Sequence, residues 1–390
     1  MQNRLTRRIQ AIKPSPTIAV TTRAAALKAS GVDVIGLGAG EPDFDTPQFI
    51  KDAAYQAMQR GCTKYTAVDG TASLKDAIRQ KFARDNQLDY ARDQILVSAG
   101  AKHCLFNLFL AWLEPGDEAI IPAPYWVSYP DMVLMAEATP VILETHEKNR
   151  FKMSPADLAA AITPKTKLLV MNSPSNPSGI AYTPDELKAL GAVLRLHPNV
   201  MIVSDDIYEH VLWTDFPFAN LAMVCPDRIV LVNGVSKTYA MTGWRIGYAA
   251  GPKWIIDAMA KMQSQSTSNP CSIAQYAAEA ALLGDQTIIK TMVDVFHERH
   301  DRLVAGLNAL PGVRCMSADG TFYAFPNVSG AMMQLGYKDD IAFAEFLLQE
   351  AHVAVVPGTP FGTPGHVRLS YATSQEMLDK ALTRLAKVLK

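Results

Sequence analysis

A lysine at the end of an apolar run is the first residue whose type and setting suggest chemistry. Lys237 closes the stretch Val230-Leu231-Val232-Asn233-Gly234-Val235-Ser236-Lys237 and is followed by Thr242-Gly243-Trp244-Arg245-Ile246-Gly247-Tyr248. A lysine held at a buried strand end loses hydration, its pKa falls, and the free amine can condense with an aldehyde to give an imine. Most lysines are solvated, so the residue type alone says little. Arg245, eight residues on in a glycine-bounded segment, adds a guanidinium suited to a phosphate. Asp205 and Asp206 end another apolar run, Val200 to Ser204. A solvated loop carboxylate or a helix N-cap is the ordinary reading of such residues, and it fits Asp206 better than Asp205. Gly100-Ala101-Lys102 is a small-residue turn between strand-like and helix-like stretches, where exposed N–H groups and a helix dipole converge; plain connections of this kind are common. Arg368 lies in the strand-like His366 to Tyr371, where an unpaired guanidinium is costly, so a salt bridge or a ligand carboxylate is expected.

The elements that must position these residues are short and apolar. Asp93 to Ser98, Glu118 to Ile121, Lys167 to Met171, Val200 to Ser204 and Arg228 to Asn233 read as strands, and Lys102 to Leu113 as a helix. Apolar strands without alternation predict a sheet covered on both faces, hence mostly parallel and of α/β type. Ligands in such sheets sit beyond the carboxyl ends of the strands, where the unusual polar residues fall. After Gly284 the pattern changes to a long helix, Ile288 to Leu310, a Pro311-Gly312 break and a mixed C-terminal segment. Helix-like Ala19 to Ser30 and strand-like Val34 to Leu37 lie outside the alternating series. The expected division is a large domain over residues 46–285 and a smaller α+β domain formed by 1–45 with 286–390.

Composition narrows the function. The 390 residues carry 37 basic and 38 acidic side chains, for a net charge of -1, so no general attraction to nucleic acid or an anionic membrane is implied. Five scattered cysteines without a CxxC pair indicate neither a disulfide framework nor a structural metal site, and fit a reducing cytoplasm. No run approaches the ~20 apolar residues of a membrane span. Lys13-Pro14-Ser15-Pro16 interrupts any amphipathic targeting helix at the start. Gly36-Leu37-Gly38-Ala39-Gly40 has GxGxG spacing rather than the dinucleotide fingerprint, and Pro42 follows it closely. His297 and His300 are spaced like metal ligands, but Glu298, Arg299 and Asp301 around them favour a solvated helix face. No GxSxG nucleophile elbow occurs.

Seven segments, taken in order, carry a resemblance to a known family: Gly40-Glu41-Pro42-Asp43-Phe44, Lys64-Tyr65-Thr66, Tyr125-Trp126-Val127-Ser128-Tyr129-Pro130, Asn172-Ser173-Pro174-Ser175-Asn176-Pro177-Ser178-Gly179, Ser204-Asp205-Asp206-Ile207-Tyr208, Lys237 to Tyr248, and Val367-Arg368-Leu369-Ser370-Tyr371. Nearly the whole chain resembles the class I, fold type I, pyridoxal-phosphate-dependent aminotransferases, and among them the bacterial aspartate aminotransferase group that includes aspartate/prephenate members. The resemblance implies pyridoxal 5'-phosphate as an electron sink whose ring nitrogen must stay protonated, with Asp205 as the carboxylate that secures this. It makes Lys237 the imine-forming lysine and the carrier of the substrate proton. It makes Gly100, Ala101, Lys102 and Arg245 the phosphate cradle, with Tyr65 added from a neighbouring subunit. Trp126 would stack on the ring, Tyr208 would bond its phenolic oxygen, and Asn176 would help Arg368 grip the α-carboxylate in a pocket lined by Gly40.

Departures from the pattern matter as well. Distant relatives carry serine where this chain has Gly234, so one phosphate contact is lost, with Ser236 as a substitute. No second arginine stands ready for a distal carboxylate; Lys102 is the first candidate and Lys13 with Thr17 the second. The expected reaction is ping-pong transfer of an amino group between aspartate and 2-oxoglutarate by a homodimer with shared active sites, with prephenate as an alternative acceptor and α,β-elimination as a rival chemistry on the same scaffold.

Overall fold

The computed structural model describes residues 5–14 and 16–390, and of residues 16 and 17 the backbone alone. In chain order its strands are β1 (Ile35–Gly36), β2 (Ile95–Ser98), β3 (Glu118–Ala123), β4 (Thr139–Glu144), β5 (Thr166–Asn172), β6 (Met201–Asp205), β7 (Ile229–Gly234), β8 (Gly247–Ala250), β9 (Tyr323–Ala324), β10 (Val353–Ala354), β11 (Val356–Pro357) and β12 (Val367–Ser370). Seven of them form one sheet in the order β2-β8-β7-β6-β5-β3-β4. All its pairings are parallel except those of β8, which runs against β2 and β7. The expected mostly parallel α/β architecture is therefore present.

The reason is visible in the strands. Every residue of β2, β6, β7 and β8 is buried, because helices cover both faces. One face packs Ile120, Leu169, Ile202 and Leu231 against Ile78, Leu190 and Ala277. The other packs Ile121, Val170, Val203 and Val232 against Leu105, Phe109 and Met259. The first helix of the series, Ala101–Trp112, starts where the sequence reading placed its turn.

A second core joins the long helix Thr287–Asn308, Phe322, Phe343, Leu369 and Leu378 with Ile35 and Leu37 from the start of the chain. Its scaffold is a small antiparallel sheet, β11-β12-β9, and a parallel pair in which β1 lies beside β10. The long helix corrects one expectation. His300 is 1% exposed, its Nε2 accepting from the Ala318 N–H at 2.9 Å, and His297 stacks on Trp213 at 5.0 Å between ring centroids. Trp213 and the 318–320 segment cover this side of the helix at His300, while His297, its side chain 44% exposed, lies at the edge of that cover.

Candidate active site

The large sheet brings its polar residues to one rim by register. Asn172 at the end of β5 pairs with Asp205 at the end of β6, and Asp205 pairs with Val232 of β7. Since β8 runs the other way, its first residue, Gly247, pairs with both Ser98 and Gly234. Arg245, just ahead of β8, thereby reaches the same rim as the turn after β2 and the segment after β7.

That turn needs glycine. Gly100 has φ +92°, and a Cβ there would stand 2.4 Å from Nη2 of Arg245. Arg245 itself sits at φ +58°, with Nη1 donating to the Thr242 carbonyl at 2.9 Å. The helix beginning at Ala101 points its free N–H groups at the same spot. Gly234 is equally constrained. A Cβ on it would lie 2.9 Å from the Ile246 carbonyl, so a serine would not fit without movement, whereas Ser236 lines the cavity.

A cavity of about 310 Å3 opens at this rim, within the range of small-ligand sites. Among its walls are Gly40, Ala101, Lys102, Trp126, Asn176, Asp205, Tyr208, Ser236, Lys237, Arg245 and Arg368. Lys237 Nζ donates to the Gly40 carbonyl at 2.6 Å. Burial lowers its pKa to about 8; Glu41 and Asp205 oppose that fall, while Arg245 and Arg368 add to it. At pH 7 this leaves about 300 times more free amine than an ordinary lysine has. Asp205, 4% exposed, shows the reverse effect: burial lifts its carboxyl to about 6, against hydrogen bonds from Tyr129 and the Ile207 N–H and the charge of Lys237. The Tyr129 hydroxyl donates to Asp205 Oδ2 at 2.7 Å, and Asn172 Nδ2 donates to the Asp205 carbonyl at 2.8 Å.

Arg368 enters from the small sheet. Its Nη1 donates to Asn176 Oδ1 at 2.9 Å and its Nη2 to the Gly38 carbonyl at 2.8 Å. Its guanidinium lies 4.4 Å from the centre of the Tyr323 ring and 5.2 Å from that of Phe361. Among the described residues this side chain, 2% exposed, has no carboxylate partner, and its Nε has no hydrogen bond. A buried cation with spare donors is a receptor for an anion. Lys102 stands at the mouth with Nζ 4.7 Å from the centre of the Trp126 ring. Burial and then the Arg245 charge lower its pKa.

Other expected residues fall elsewhere. Tyr65 is 91% exposed and does not line the cavity. Lys13 is exposed on the N-terminal segment and Thr17 has its side chain outside the described residues. Asp206 is no solvated cap: it is 2% exposed and turned to the opposite side of the sheet rim, where Ser204 donates to it at 2.6 Å and Asn220 at 2.8 Å. Burial pushes its carboxyl well above the usual range. Among the described residues one group of possible metal ligands, Asp85, Glu209 and His210, lies close together, but Lys81 and Arg84 already pair with its carboxylates. Tyr129, Asn172 and Tyr323 had no assigned role. The first two lie inside quoted motifs; Tyr323 has no local signal, since only the pairing of β9 with β12 brings it to the cavity.

A lysine tuned toward the free amine, a buried carboxylate, an anion cradle and a caged arginine around one cavity define a site for an aldehyde cofactor with an anionic tail. The donor set fits pyridoxal phosphate: the Gly100 turn, having no Cβ, lets the Arg245 guanidinium stand against the start of the helix, and among the described residues Arg368 keeps a buried donor free. The comparisons agree. The model of the family "Aminotransferase class I and II" matches residues 32–385, and the chain belongs to that family. It is 56% identical to an aspartate/prephenate aminotransferase of Nitrosomonas europaea, over 99% of this chain and 100% of that one. It is 51% identical to an aspartate aminotransferase of Geobacillus stearothermophilus, over 98% of each. The aspartate aminotransferase structure from Rhizobium meliloti superposes with a TM-score of 0.95 at 48% identity, over 99% of this chain and 98% of that one. This chain is thus a pyridoxal-phosphate-dependent aminotransferase of fold type I.

Proposed function

We propose that the enzyme moves an amino group between aspartate and 2-oxoglutarate in two half-reactions at this one cavity. The observation that carries the reading is the pairing, across that cavity, of an amine-tuned Lys237 with an Arg368 that has no carboxylate partner among the described residues. When bound, pyridoxal phosphate supplies an electron sink for the charge that develops at the substrate α-carbon. Lys237 would hold the aldehyde until the amino acid takes its place, and its freed Nζ would carry the substrate's α-proton to the cofactor's aldehyde carbon, acting as base and then as acid. Asp205, its carboxylate oriented by the Tyr129 hydroxyl and the Ile207 N–H, would keep the ring nitrogen protonated. Gly100, Ala101, Ser236 and Arg245 would hold the phosphate, Trp126 would cover the ring, and Tyr208 would bond its phenolic oxygen. Arg368 and Asn176 grip the α-carboxylate beside Gly40, and Lys102 receives the distal one.

Two features support aspartate: relatives that bear that name, and a second cation, Lys102, on the cavity wall. The names of relatives such as that from Nitrosomonas europaea favour prephenate as a further acceptor. The test is spectroscopic. Purified enzyme is expected to be yellow, to lose the colour with aspartate and to regain it with 2-oxoglutarate. Release of ammonia and pyruvate instead would overturn transamination. Prephenate restoring the colour faster than oxaloacetate would make it the preferred acceptor.

The remaining organisation follows the same reading. The division into 46–285 and 1–45 with 286–390 is supported by the separation of the seven-stranded sheet from the small antiparallel sheet and by β1 lying beside β10. A homodimer is supported by Tyr65, exposed and outside its own cavity, which a second copy would bury over the phosphate side. Mixing Tyr65→Phe with Lys237→Ala chains is expected to restore one sound site per mixed dimer; failure to recover any activity would remove the shared-site arrangement. A cytoplasmic location is supported by five free cysteines, and among the described residues no helix is long and apolar enough to cross a membrane.

A further inference from the structure

We infer that Tyr323 is a positioning residue that ties the carboxylate-facing Arg368 to the cofactor-facing Tyr208. The inference rests on the roles proposed for those two residues and adds the part that joins them. Tyr323 stands on β9, opposite Ser370 of β12, so Arg368 is its diagonal neighbour on the same face. The ring lies 4.4 Å from the Arg368 guanidinium, and Phe361 takes up another face of that cation at 5.2 Å. Two aromatic walls leave the guanidinium little freedom to rotate, so its plane is set before a carboxylate arrives.

The other end of Tyr323 faces the cofactor side. Its hydroxyl is 3.0 Å from the Tyr208 hydroxyl, with both residues fully buried. It is also 3.1 Å from where a Cβ on Gly40 would stand, which wedges it between that backbone and Tyr208. Two phenols sharing one contact need an order. If Tyr208 donates outward to a ligand oxygen, it must accept from Tyr323, giving the sequence Tyr323 O–H to Tyr208 O–H to ligand. A cation on the Tyr323 ring strengthens that first donor. Burial raises both phenols, and the Arg368 charge is the largest influence opposing the rise at Tyr323. Glu41 is the other charged group that acts on Tyr323.

The holoenzyme dimer tests this with two substitutions. Tyr323→Phe removes only the hydroxyl. It is expected to change the ratio of the two visible absorption bands at fixed pH, before any substrate is added, and to lower kcat about 3- to 10-fold with KM for aspartate within about twofold. Tyr323→Leu also removes the ring and is expected to raise that KM about 3- to 30-fold. A Tyr323→Phe enzyme with wild-type bands and wild-type kcat overturns the inference, whatever Tyr323→Leu does. If the leucine variant does not fold, the phenylalanine variant decides alone. Borohydride trapping of the wild type keeps the two levels apart: label on a lysine other than Lys237 defeats the proposed site, while label on Lys237 with unaltered Tyr323→Phe spectra and kcat defeats only the role of Tyr323.

Discussion

The large sheet delivers a half-buried lysine and the small sheet a fully buried arginine to the same cavity, and the two cations are treated in opposite ways. Lys237, at the end of β7, is given a backbone carbonyl and two nearby arginines, so burial lowers its pKa to about 8. Arg368, on β12, is given two neutral acceptors and two aromatic faces. Burial lowers its pKa too, yet a guanidinium starts so high that it stays charged. One region therefore tunes a proton and the other stores a charge. The lesson is that the same desolvation makes a nucleophile of an amine and an anion receptor of a guanidinium, because their starting pKa values differ by units.

The contrast can be broken at either end. The largest effect is expected for Lys237→Ala, which removes the amine altogether: kcat should fall about 10^4-fold in steady-state assays, and a wild-type rate would end the assignment. Arg368→Leu removes the stored charge and should lower kcat/KM for aspartate about 10^3-fold, while Arg368→Lys, which keeps charge but loses the planar fork, should lose about tenfold. Equal losses in the two arginine variants would mean that the planar fork, and not the stored charge, is what the small sheet provides.

The proton-tuning side can be sharpened by pH. Since the pKa of Lys237 is depressed, its free amine appears as pH rises through about 8, well before that of solvated lysines. Labelling of apoenzyme by an amine-reactive aldehyde, followed by peptide mapping, should reach half its limit near pH 8 at Lys237; a midpoint near the ordinary lysine value would show that burial does not tune it. The adjacent carboxylates give the smaller contrasts. Asp205→Asn, which removes the cavity charge, is expected to cost about 10^2-fold in kcat. Asp206→Asn, on the other side of the rim, should leave kcat within about threefold and lower stability by about 1 kcal/mol, read by thermal melting. Reversed ranks would place the functional carboxylate on the wrong residue.

Much of this was legible in the chain, for physical reasons. Apolar runs such as Val200 to Ser204 and Arg228 to Asn233 announce buried strands because both faces are covered, and strand ends then mark the rim. Gly100 was legible as a turn and Lys237 as a lysine in apolar company. Asp206 was misread because its neighbour in sequence lies on the opposite side of the rim, and periodicity beyond the end of a strand does not say which side is solvent. His300 was misread because charged neighbours on its helix masked the Trp213 cover, which arrives from far along the chain.

What the sequence by itself determined is the local chemistry: which segments become strands and helices, where glycine permits a turn, and which residue types stand at strand ends. These follow from side-chain size, polarity and backbone freedom over a few residues. Only the tertiary structure decided that Arg368 has two neutral acceptors, Asn176 and the Gly38 carbonyl, that Tyr323 bridges it to Tyr208, and that Asp205 and Lys237 are desolvated enough to move their pKa values toward each other. Those properties depend on which atoms fill the space around a group, and that space is filled by residues up to 330 positions away, as in the Arg368 bond to the Gly38 carbonyl.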